Sequence, residues 1–392
     1  MQLVAYGAQD IYLTGNPQIT FFKVVYRRHT NFSMESIEQT WSGTANSNGR
    51  CQATISRNGD LIHKMYLVVD LDETQDNMVG VNIMNPGAYF IKTVELEIGG
   101  QSIDKHTGLW MELWAELTEP NPYGYPMDVQ NASDTGSLFQ TMTLSGGVAG
   151  NSSNGSDVVK GPLFIPLRFW FCRNPGLALP LIALQYHEVK VTLDHKMSDV
   201  FPGASQNLWV DYIYLDTDER RRFAQVSHEY LIEQLQYQSL STNETSLRFN
   251  HPVKELVWCN ASKMPDNGQR DGTDTERFSV AVQSTDGILL KLNGHDRFSK
   301  RKVQYFTRQQ VYDYHNGTGG LSHNGLSEGL NDSIAVYSFA LKPEEHQPSG
   351  TCNFSRIDNA QLSGLVGNHT IFAVNYNVLR IMSGMGGLAY SN

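Results

Sequence analysis

Short segments with alternating apolar and polar side chains dominate this chain and predict β-strands. In the segment WVDYIYL, Val210, Tyr212 and Tyr214 point to one face, whereas Asp211 and Ile213 point to the other. This is the period of a half-buried strand. Gly, Asn, Pro and Ser bound most of these segments, as they do where turns join strands. The pattern predicts an all-β protein made of sandwiches or barrels.

One segment departs from this alternation and has helical spacing. Between Gly108 and Leu117, large apolar residues recur three and four positions apart, at Trp110, Leu113 and Trp114. This spacing places them on one face of an α-helix. We therefore predict a single clear helix at 108–117.

The predicted strands repeat in the same order in the two halves of the chain. Four segments of the first half resemble four of the second: Ile37-Glu38-Gln39 and Ile232-Glu233-Gln234, the strands that begin at Ile62 and Val253, the strands 94–98 and 288–292, and the strands 210–215 and 374–379. The shared order favours a tandem duplication. We therefore expect the paired strands to occupy equivalent positions in two copies of one fold.

The turn after the third repeated strand supports the duplication. It reads Gly99-Gly100 in the first half and Asn293-Gly294 in the second. Both pairs tolerate the positive φ that a type I′ hairpin turn requires at its two central residues. Each half should therefore contain a tight hairpin at the same place in its sandwich.

A charged run without apolar residues, Asp216 to Arg222, separates the two predicted bodies. Such a run is expected in water between packed units. The resulting division has an N-terminal arm at 1–22, a first body at 23–215, a linker at 216–222 and a second body at 223–392. Long stretches rich in Asn, Gly and Ser, about 119–160 and 293–333, are expected to form functional or mobile loops.

Charge and cysteine usage restrict the function classes. The chain has 30 basic and 40 acidic residues, a net charge of −10, which argues against general affinity for nucleic acid. Basic clusters at 220–222 and 23–29 are therefore expected to pair with acids across an interface.

The four cysteines are widely spaced, so we predict buried free thiols. The N-terminus does not resemble a signal peptide, and no apolar run is long enough to span a membrane. We expect a protein made in a reducing compartment.

No pattern of catalytic or metal-binding residues emerges. A metal-binding double barrel of the bicupin type requires two histidines one residue apart on a strand, whereas the nearest pairs, His187 with His195 and His315 with His323, are more widely spaced. The Gly-rich segment 384–387 lacks the following helix that a phosphate-binding loop requires. We therefore predict no catalytic residue, no metal ligand, no cofactor and no enzymatic activity.

Asn-x-Ser/Thr triplets are frequent, and most fit the ordinary use of these residues in β-turns. Four lie in the long loops, where a sugar has room to attach: Asn131, Asn151, Asn154 and Asn316. These four are the candidate glycosylation sites.

Eight segments carry a resemblance to a known family: YGAQDIYLTGNPQITFFKVVYRR (6–28), ISRNGDLI (55–62), VELEIGGQSIDKH (94–106), PGLALPLIALQYHEVK (175–190), WVDYIYLDTDERRRFAQ (209–225), HEYLIEQLQ (228–236), LKPEEHQPSGTCNFSRIDNA (341–360) and NYNVLRIMSGMGGLAY (375–390). The chain resembles the major capsid protein of nucleocytoplasmic large DNA viruses, closest to the algal-virus branch. The resemblance covers nearly the whole chain and is weakest in the two long loops.

The resemblance implies a double jelly roll, two tandem eight-stranded sandwiches. It also implies a homotrimeric, pseudo-hexagonal capsomer that tiles the icosahedral outer shell of the virion. The expected partners are further copies of the chain, neighbouring capsomers, minor capsid proteins and an inner membrane beneath the shell, without direct binding of nucleic acid. The protein would be a late glycoprotein, made and assembled in the host cytoplasm.

A carbohydrate-active or lectin-like double sandwich is the alternative, because jelly rolls also carry sugar sites. It would require an exposed aromatic platform beside polar side chains, which the sequence pattern does not locate.

Overall fold

The computed structural model describes residues 8, 30–71, 86–120, 138–143, 162–241, 245–260, 281–317, 319–320 and 332–390. The strands in these ranges are β1 (Phe32–Gln39), β2 (Trp41–Gly43), β3 (Gly49–Thr54), β4 (Leu61–Asp70), β5 (Ile91–Ile98), β6 (Gln101–Thr107), β7 (Leu163–Pro166), β8 (Leu179–Pro180), β9 (Val189–His195), β10 (Ser205–Leu215), β11 (His228–Leu240), β12 (Ser246–Leu247), β13 (Pro252–Asn260), β14 (Ser284–Leu292), β15 (His295–Asp296), β16 (Ile334–Ser338), β17 (Cys352–Asn353), β18 (Ala360–Leu365), β19 (His369–Met382) and β20 (Met385–Leu388).

The helical elements in the same ranges are short and connect or cover the strands. The α-helices are Pro86–Tyr89, Gly108–Thr118, Leu138–Thr143, Trp170–Arg173, Met197–Val200, Thr217–Gln225 and Gln310–Tyr314. A π-helix spans Tyr305–Gln309, and 3-10 turns span Pro175–Leu177, Leu181–Ala183 and Phe354–Arg356.

Each half of the chain forms two antiparallel sheets, and the two halves have the same strand order. The first half contains the sheets β1-β10-β4-β7 and β2-β3-β9-β5-β6, with β8 paired to β4. The second half contains β11-β19-β13-β16 and β12-β18-β14-β15, with β17 on β13 and β20 on β19. Apart from the accessory strands β2, β8, β17 and β20, eight strands of one half match eight of the other in position. The predicted all-β double jelly roll is confirmed.

The four repeated sequence segments lie on equivalent strands. They fall on β1 and β11, on β4 and β13, on β5 and β14, and on β10 and β19. The hairpin turns also agree, because φ is +58° and +81° at Gly99 and Gly100, and +52° and +78° at Asn293 and Gly294. The prediction of one topology shared by both halves is therefore confirmed.

Alternation along the strands builds one core inside each sandwich. On β5, Val94, Leu96 and Ile98 face the first core, and equivalent apolar positions of β14 face the second. The first core also contains residues of the second half, among them Ile232 and Leu379. Burying a side chain of this size contributes roughly 1.5–3 kcal/mol, so these shared contacts couple the two sandwiches.

The predicted linker is partly helical. Asp216 accepts the Thr217 N–H at 2.8 Å and caps the helix Thr217–Gln225, none of whose residues is fully buried. Its charges lie in solvent as predicted, and Arg220 pairs with Asp60 at 3.0 Å. The helix was not predicted because it lacks an apolar stripe; only Phe223 packs on the outer face of the first sandwich.

The structure describes all four cysteines, whereas several other predicted features lie outside the described residues. All four cysteines are free; Cys51 and Cys259 are buried, whereas Cys172 and Cys352 are half-buried. The arm 1–22 lies outside the described residues apart from position 8, as do the basic cluster at 23–29, His323, and the candidate sites Asn131, Asn151 and Asn154.

Candidate functional site

The helix Gly108–Thr118 joins the two sandwiches. It follows β6 directly, and the Thr107 hydroxyl oxygen caps it by accepting the Trp110 N–H at 3.1 Å. The predicted helix is confirmed, but it is not a surface helix, because every residue from 108 to 117 is buried. A helix buried on every side lies in the interior of the molecule.

The apolar side chains of this helix pack on the outer face of the β11-β19-β13-β16 sheet. The shared cluster contains Leu109, Trp110, Leu113, Trp114 and Leu117 from the first half, and Leu235, Val257, Cys259, Val311, Ile334, Val336, Phe372 and Val374 from the second. The Trp110 and Phe372 rings lie 5.3 Å apart between centroids. On β13 and β19 these residues alternate with those that face the second core, so both faces of the sheet are buried here.

A buried carboxylate lies beside this apolar cluster and receives cations from both halves. Glu233 on β11 contacts Arg173 of the first sandwich, Lys254 Nζ at 2.8 Å and His346 Nδ1 at 3.3 Å. Its side chain is 2% exposed, and that of Lys254 is 0% exposed. The Arg173 guanidinium also lies 4.9 Å from the Trp114 ring. The cluster therefore ties the short helix Trp170–Arg173 to the second sandwich.

The electrostatics of this cluster favour the charged pair. Burial alone raises the pKa of the Glu233 carboxyl, but Arg173 and Lys254 outweigh burial and hold that pKa well below its usual range. Burial lowers the pKa of the Lys254 ammonium, and Glu233 opposes that shift. Because a buried charge is costly without a partner, loss of any member leaves the others poorly satisfied.

Polar side chains also connect β6 with β11. The Leu235 N–H donates to Asp104 Oδ1 at 3.1 Å, and the Gln234 side-chain amide donates to the Ile103 carbonyl. Asp104 in turn lies 2.9 Å from His106 Nε2. These bonds fix the register between strands of different sandwiches.

A third polar group fixes the C-terminal end of the helix Gly108–Thr118, which we call the junction helix because it lies at the junction of the two sandwiches. His315 lies between two carboxylates, with Nε2 3.1 Å from Glu255 Oε2 and Nδ1 3.1 Å from Glu344 Oε1. Burial opposes protonation, but the two carboxylates outweigh it and raise the His315 pKa to about 9. The imidazolium therefore holds the segment after the helix Gln310–Tyr314 in place.

The segment that follows His315 supplies hydrogen bonds that the helix end requires. The Gly317 N–H donates to the Leu117 carbonyl at 2.7 Å, and the Gly319 N–H donates to the Glu116 carbonyl at 2.9 Å. A helix leaves its last carbonyls without partners in the helix itself. A Cβ at Gly317 would overlap the backbone of the helix end, so glycine permits this close approach.

Asn316 is the candidate glycosylation residue that the structure describes, and it lies beside this group. It is exposed, its backbone N–H donates to Glu344 Oε1 at 2.9 Å, and its side-chain amide also donates to Glu344. The structure thus places Asn316 at the surface next to the junction, with its amide in contact with the Glu344 carboxylate.

A second contact between the sandwiches involves the β19–β20 hairpin. The Tyr186 N–H donates to the Gly384 carbonyl at 2.9 Å, and His187 Nδ1 lies 2.9 Å from the Gly386 carbonyl oxygen. His195, the other member of that histidine pair, instead contacts the Thr44 carbonyl at 2.9 Å. The two histidines therefore serve separate structural contacts. Within the described ranges, no three His, Cys, Asp or Glu side chains are grouped to hold a metal ion.

Several large apolar side chains remain exposed on the isolated chain. Phe32 and Met34 are exposed on β1, which is the last strand of its sheet among the described residues. Tyr186, Met382 and Met385 are exposed around the β19–β20 turn. Apolar groups gathered on a surface mark contacts with other chains. No helix in the described part of the chain is long and apolar enough to cross a membrane.

A basic cleft opens beside the junction in the first sandwich. Its volume is about 540 Å³, and its lining residues are Lys64, Met65, Tyr66, Thr143, Phe164, Pro166, Leu167, Arg168, Cys172 and Arg173. Burial raises the pKa of the Cys172 thiol to about 12, so the thiol stays protonated and inert at neutral pH. The cleft therefore offers cations and aromatic rings, not a nucleophile.

Sequence reasoning missed the junction residues because their partners lie far away in the chain. One local signal was present: in segments predicted as strands, Glu233 follows Leu231 and Ile232, and Lys254 follows Val253. A charged residue at such a position indicates a buried ion pair. Its partner, however, cannot be identified from local pattern.

Known proteins match the chain over its full length. A family model described as the N-terminus of a major capsid protein matches residues 20–216. A second, described as the large eukaryotic DNA virus major capsid protein, matches residues 219–370. The chain is 52% identical to the major capsid protein of Pyramimonas orientalis virus and 41% identical to that of Paramecium bursaria Chlorella virus 1; each comparison covers 100% of this chain and 99% of the relative.

A solved structure agrees with these sequence matches. A quasi-atomic model of the PBCV-1 virus capsid superposes with a TM-score of 0.73 and 36% sequence identity, covering 95% of this chain and 100% of that one. The known role of the family is a trimeric capsomer that tiles an icosahedral shell. Its members are structural proteins and not enzymes. The chain belongs to the major capsid proteins of the large eukaryotic DNA viruses and is a structural protein of the virion shell.

Proposed function

We propose that the chain acts as a rigid two-body subunit, so that three copies present six similar jelly rolls at fixed angles. The junction carries this proposal, because a buried helix, a buried ion cluster and a second hairpin contact all cross between the sandwiches. A flexible linker between the bodies would let the angle vary from copy to copy. A fixed angle gives each trimer one outline, which regular tiling requires.

The oligomer and its outline provide the test. Sedimentation equilibrium at micromolar protein should give a trimer, and electron microscopy of the same sample should give near-hexagonal particles of uniform shape. Permanent interfaces bury on the order of 2,000 Å² or more, and exposed residues such as Phe32 and Tyr186 are candidates for them. A stable monomer, or trimers of variable outline, would contradict the proposal.

We further propose that 1–22 form an arm on the inner side of the shell, outside the bodies 23–215 and 223–392. There it would contact neighbouring capsomers, minor capsid proteins and the inner membrane, in shells assembled in the host cytoplasm. Apolar residues such as Leu3, Ile11 and Leu13 support this role, since they need a covering partner. Deletion of 1–22 should leave trimers intact and impair shell assembly; loss of the trimer would refute the arm.

We also propose, from the sequence alone, that the protein is expressed late and carries glycans at one or more of four positions: Asn131, Asn151, Asn154 and Asn316. Mass spectrometry of peptides from purified virions tests the sugars directly. At Asn316 an attached sugar would replace one of the two side-chain amide hydrogens, which leaves the other to donate to Glu344. Unmodified peptides at all four positions would exclude this part of the proposal.

A further inference from the structure

The basic cleft of the first sandwich contains a cation, Lys64, without a partner among the described residues. Lys64 is exposed on β4, and its ammonium has no carboxylate within reach among the described residues. The other two cations differ, because Arg168 pairs with Glu119 at 2.6 Å and Arg173 pairs with Glu233. The cleft therefore carries a net positive charge that Lys64 supplies.

Apolar and aromatic side chains form the rest of the cleft. Phe164 is 41% exposed, and its ring lies 6.3 Å from that of Tyr66 between centroids. Tyr66 is held in place by its hydroxyl, which lies 2.9 Å from the Ser36 hydroxyl. Met65 and Leu167 also line the cleft and are buried. The cleft thus offers a fixed apolar surface next to an unpaired ammonium.

One buried nitrogen adds a second hydrogen-bond donor that has no partner in the described part of the chain. Arg173 Nε is shielded from solvent and has no hydrogen-bond acceptor among the described residues, although the terminal nitrogen of the same guanidinium contacts Glu233. A buried donor without an acceptor is destabilising. An acceptor group on a molecule seated in the cleft would lie near this guanidinium.

We propose that this cleft receives a carboxylate-bearing segment from a second copy of the chain. The charge balance supports this occupant, since each copy carries 40 acidic against 30 basic residues and so presents an excess of carboxylates to its neighbours. The inference rests on the proposed function, because tiling is what brings copies side by side. An Asp or Glu next to an apolar side chain would match both the ammonium and the Tyr66–Phe164 surface.

Zero-length carbodiimide cross-linking tests the occupant directly, because it joins an amine only to a carboxylate in contact with it. Capsomers and shells assembled from a mixture of ¹⁴N- and ¹⁵N-labelled protein should yield Lys64 peptides linked to Asp or Glu peptides of the other label. Lys300, which lies 3.1 Å from Asp286 in the same chain, is the internal control and should link only within one label. Links of Lys64 only within one label, to a different protein, or to nothing would overturn the proposal.

Charge variants of Lys64 separate this inference from the proposed function. Lys64→Gln and Lys64→Glu should leave trimer formation unchanged and raise the protein concentration required for shell assembly by roughly threefold to fivefold. Lys64→Arg keeps the positive charge and should assemble at the same protein concentration as the unmutated chain. Lys92→Gln removes an exposed lysine that pairs within its own chain and should have no effect on assembly. Normal shell assembly by Lys64→Glu, with its trimers intact, would refute the cleft contact. An unmutated chain that forms no trimers would instead refute the proposed function itself.

Discussion

Buried charge at single positions distinguishes the junction from an ordinary apolar contact. Glu233 is close to fully buried, yet it lies in contact with three basic side chains from two sandwiches. Glu229 lies four residues earlier on the same strand and pairs with Arg380 at 2.8 Å, but both side chains of this pair are more than half exposed. The two glutamates therefore form a matched pair that differs in burial.

The first prediction compares these two residues. Glu233→Gln should lower the free energy of unfolding by about 3–5 kcal/mol, because it leaves the buried Lys254 and the partly exposed Arg173 without their counterion. Glu229→Gln should change it by less than about 1 kcal/mol, because exposed ion pairs contribute little. Urea unfolding followed by tryptophan fluorescence measures both values. Equal effects of the two substitutions would show that the buried cluster does not stabilise the junction.

The second prediction concerns pH and His315. Its pKa is about 9 in the folded chain and 6.5 without the fold. A raised pKa gives stabilisation that is complete below about pH 6.5 and is lost as pH rises to 9. The melting temperature of the unmutated protein should therefore fall over this window more than that of His315→Gln. His295→Gln, at an exposed position, is the control and should retain the fall; parallel curves for His315→Gln and the unmutated chain would contradict the assignment.

At the scale of elements, local pattern predicted which segments form strands but not every helix. Alternation and the paired turns identified the repeated strands β5 and β14, because each half-buried strand carries its period in its own sequence. The helix Thr217–Gln225 has no apolar stripe to reveal it, and its acidic first turn and Arg222 near its end are weak signals. The helix Gly108–Thr118 was identified from its spacing, but its place between two bodies depends on contacts with residues more than a hundred positions away.

The third prediction tests the junction helix as an element. Trp110→Ala should destabilise the chain by about 3–5 kcal/mol, because it removes a large ring packed against Phe372 and leaves a cavity. Gln225→Ala, on the exposed helix, should change stability by less than about 0.5 kcal/mol. Thermal unfolding of both variants beside the unmutated protein measures the difference. A Trp110→Ala protein as stable as the Gln225→Ala protein would mean that the helix is not essential to the junction.

At the scale of the whole molecule, the two sandwiches share apolar contacts and not only a covalent connection. Ile232, Leu379 and Ile381 of the second half belong to the core of the first. The helix Gly108–Thr118 of the first half covers a sheet of the second. Shared burial of this kind makes unfolding of one body expose the apolar surface of the other. The duplication visible in the sequence predicted two bodies, whereas their rigid union depends on side-chain contacts across the junction.

The last prediction follows from this coupling. In differential scanning calorimetry the unmutated chain should unfold in one transition, with equal calorimetric and van't Hoff enthalpies, because the contacts across the junction couple the two sandwiches so that they unfold together. The double variant Trp110→Ala/Glu233→Gln removes the apolar and the ionic contributions to the junction together. It should show two separated transitions, since each sandwich retains its own core.

The matched double variant Gln225→Ala/Glu229→Gln should keep the single transition. Two transitions in the unmutated chain would contradict the rigid subunit, and a single transition in the double variant would place the coupling in the β19–β20 contact with Tyr186 instead.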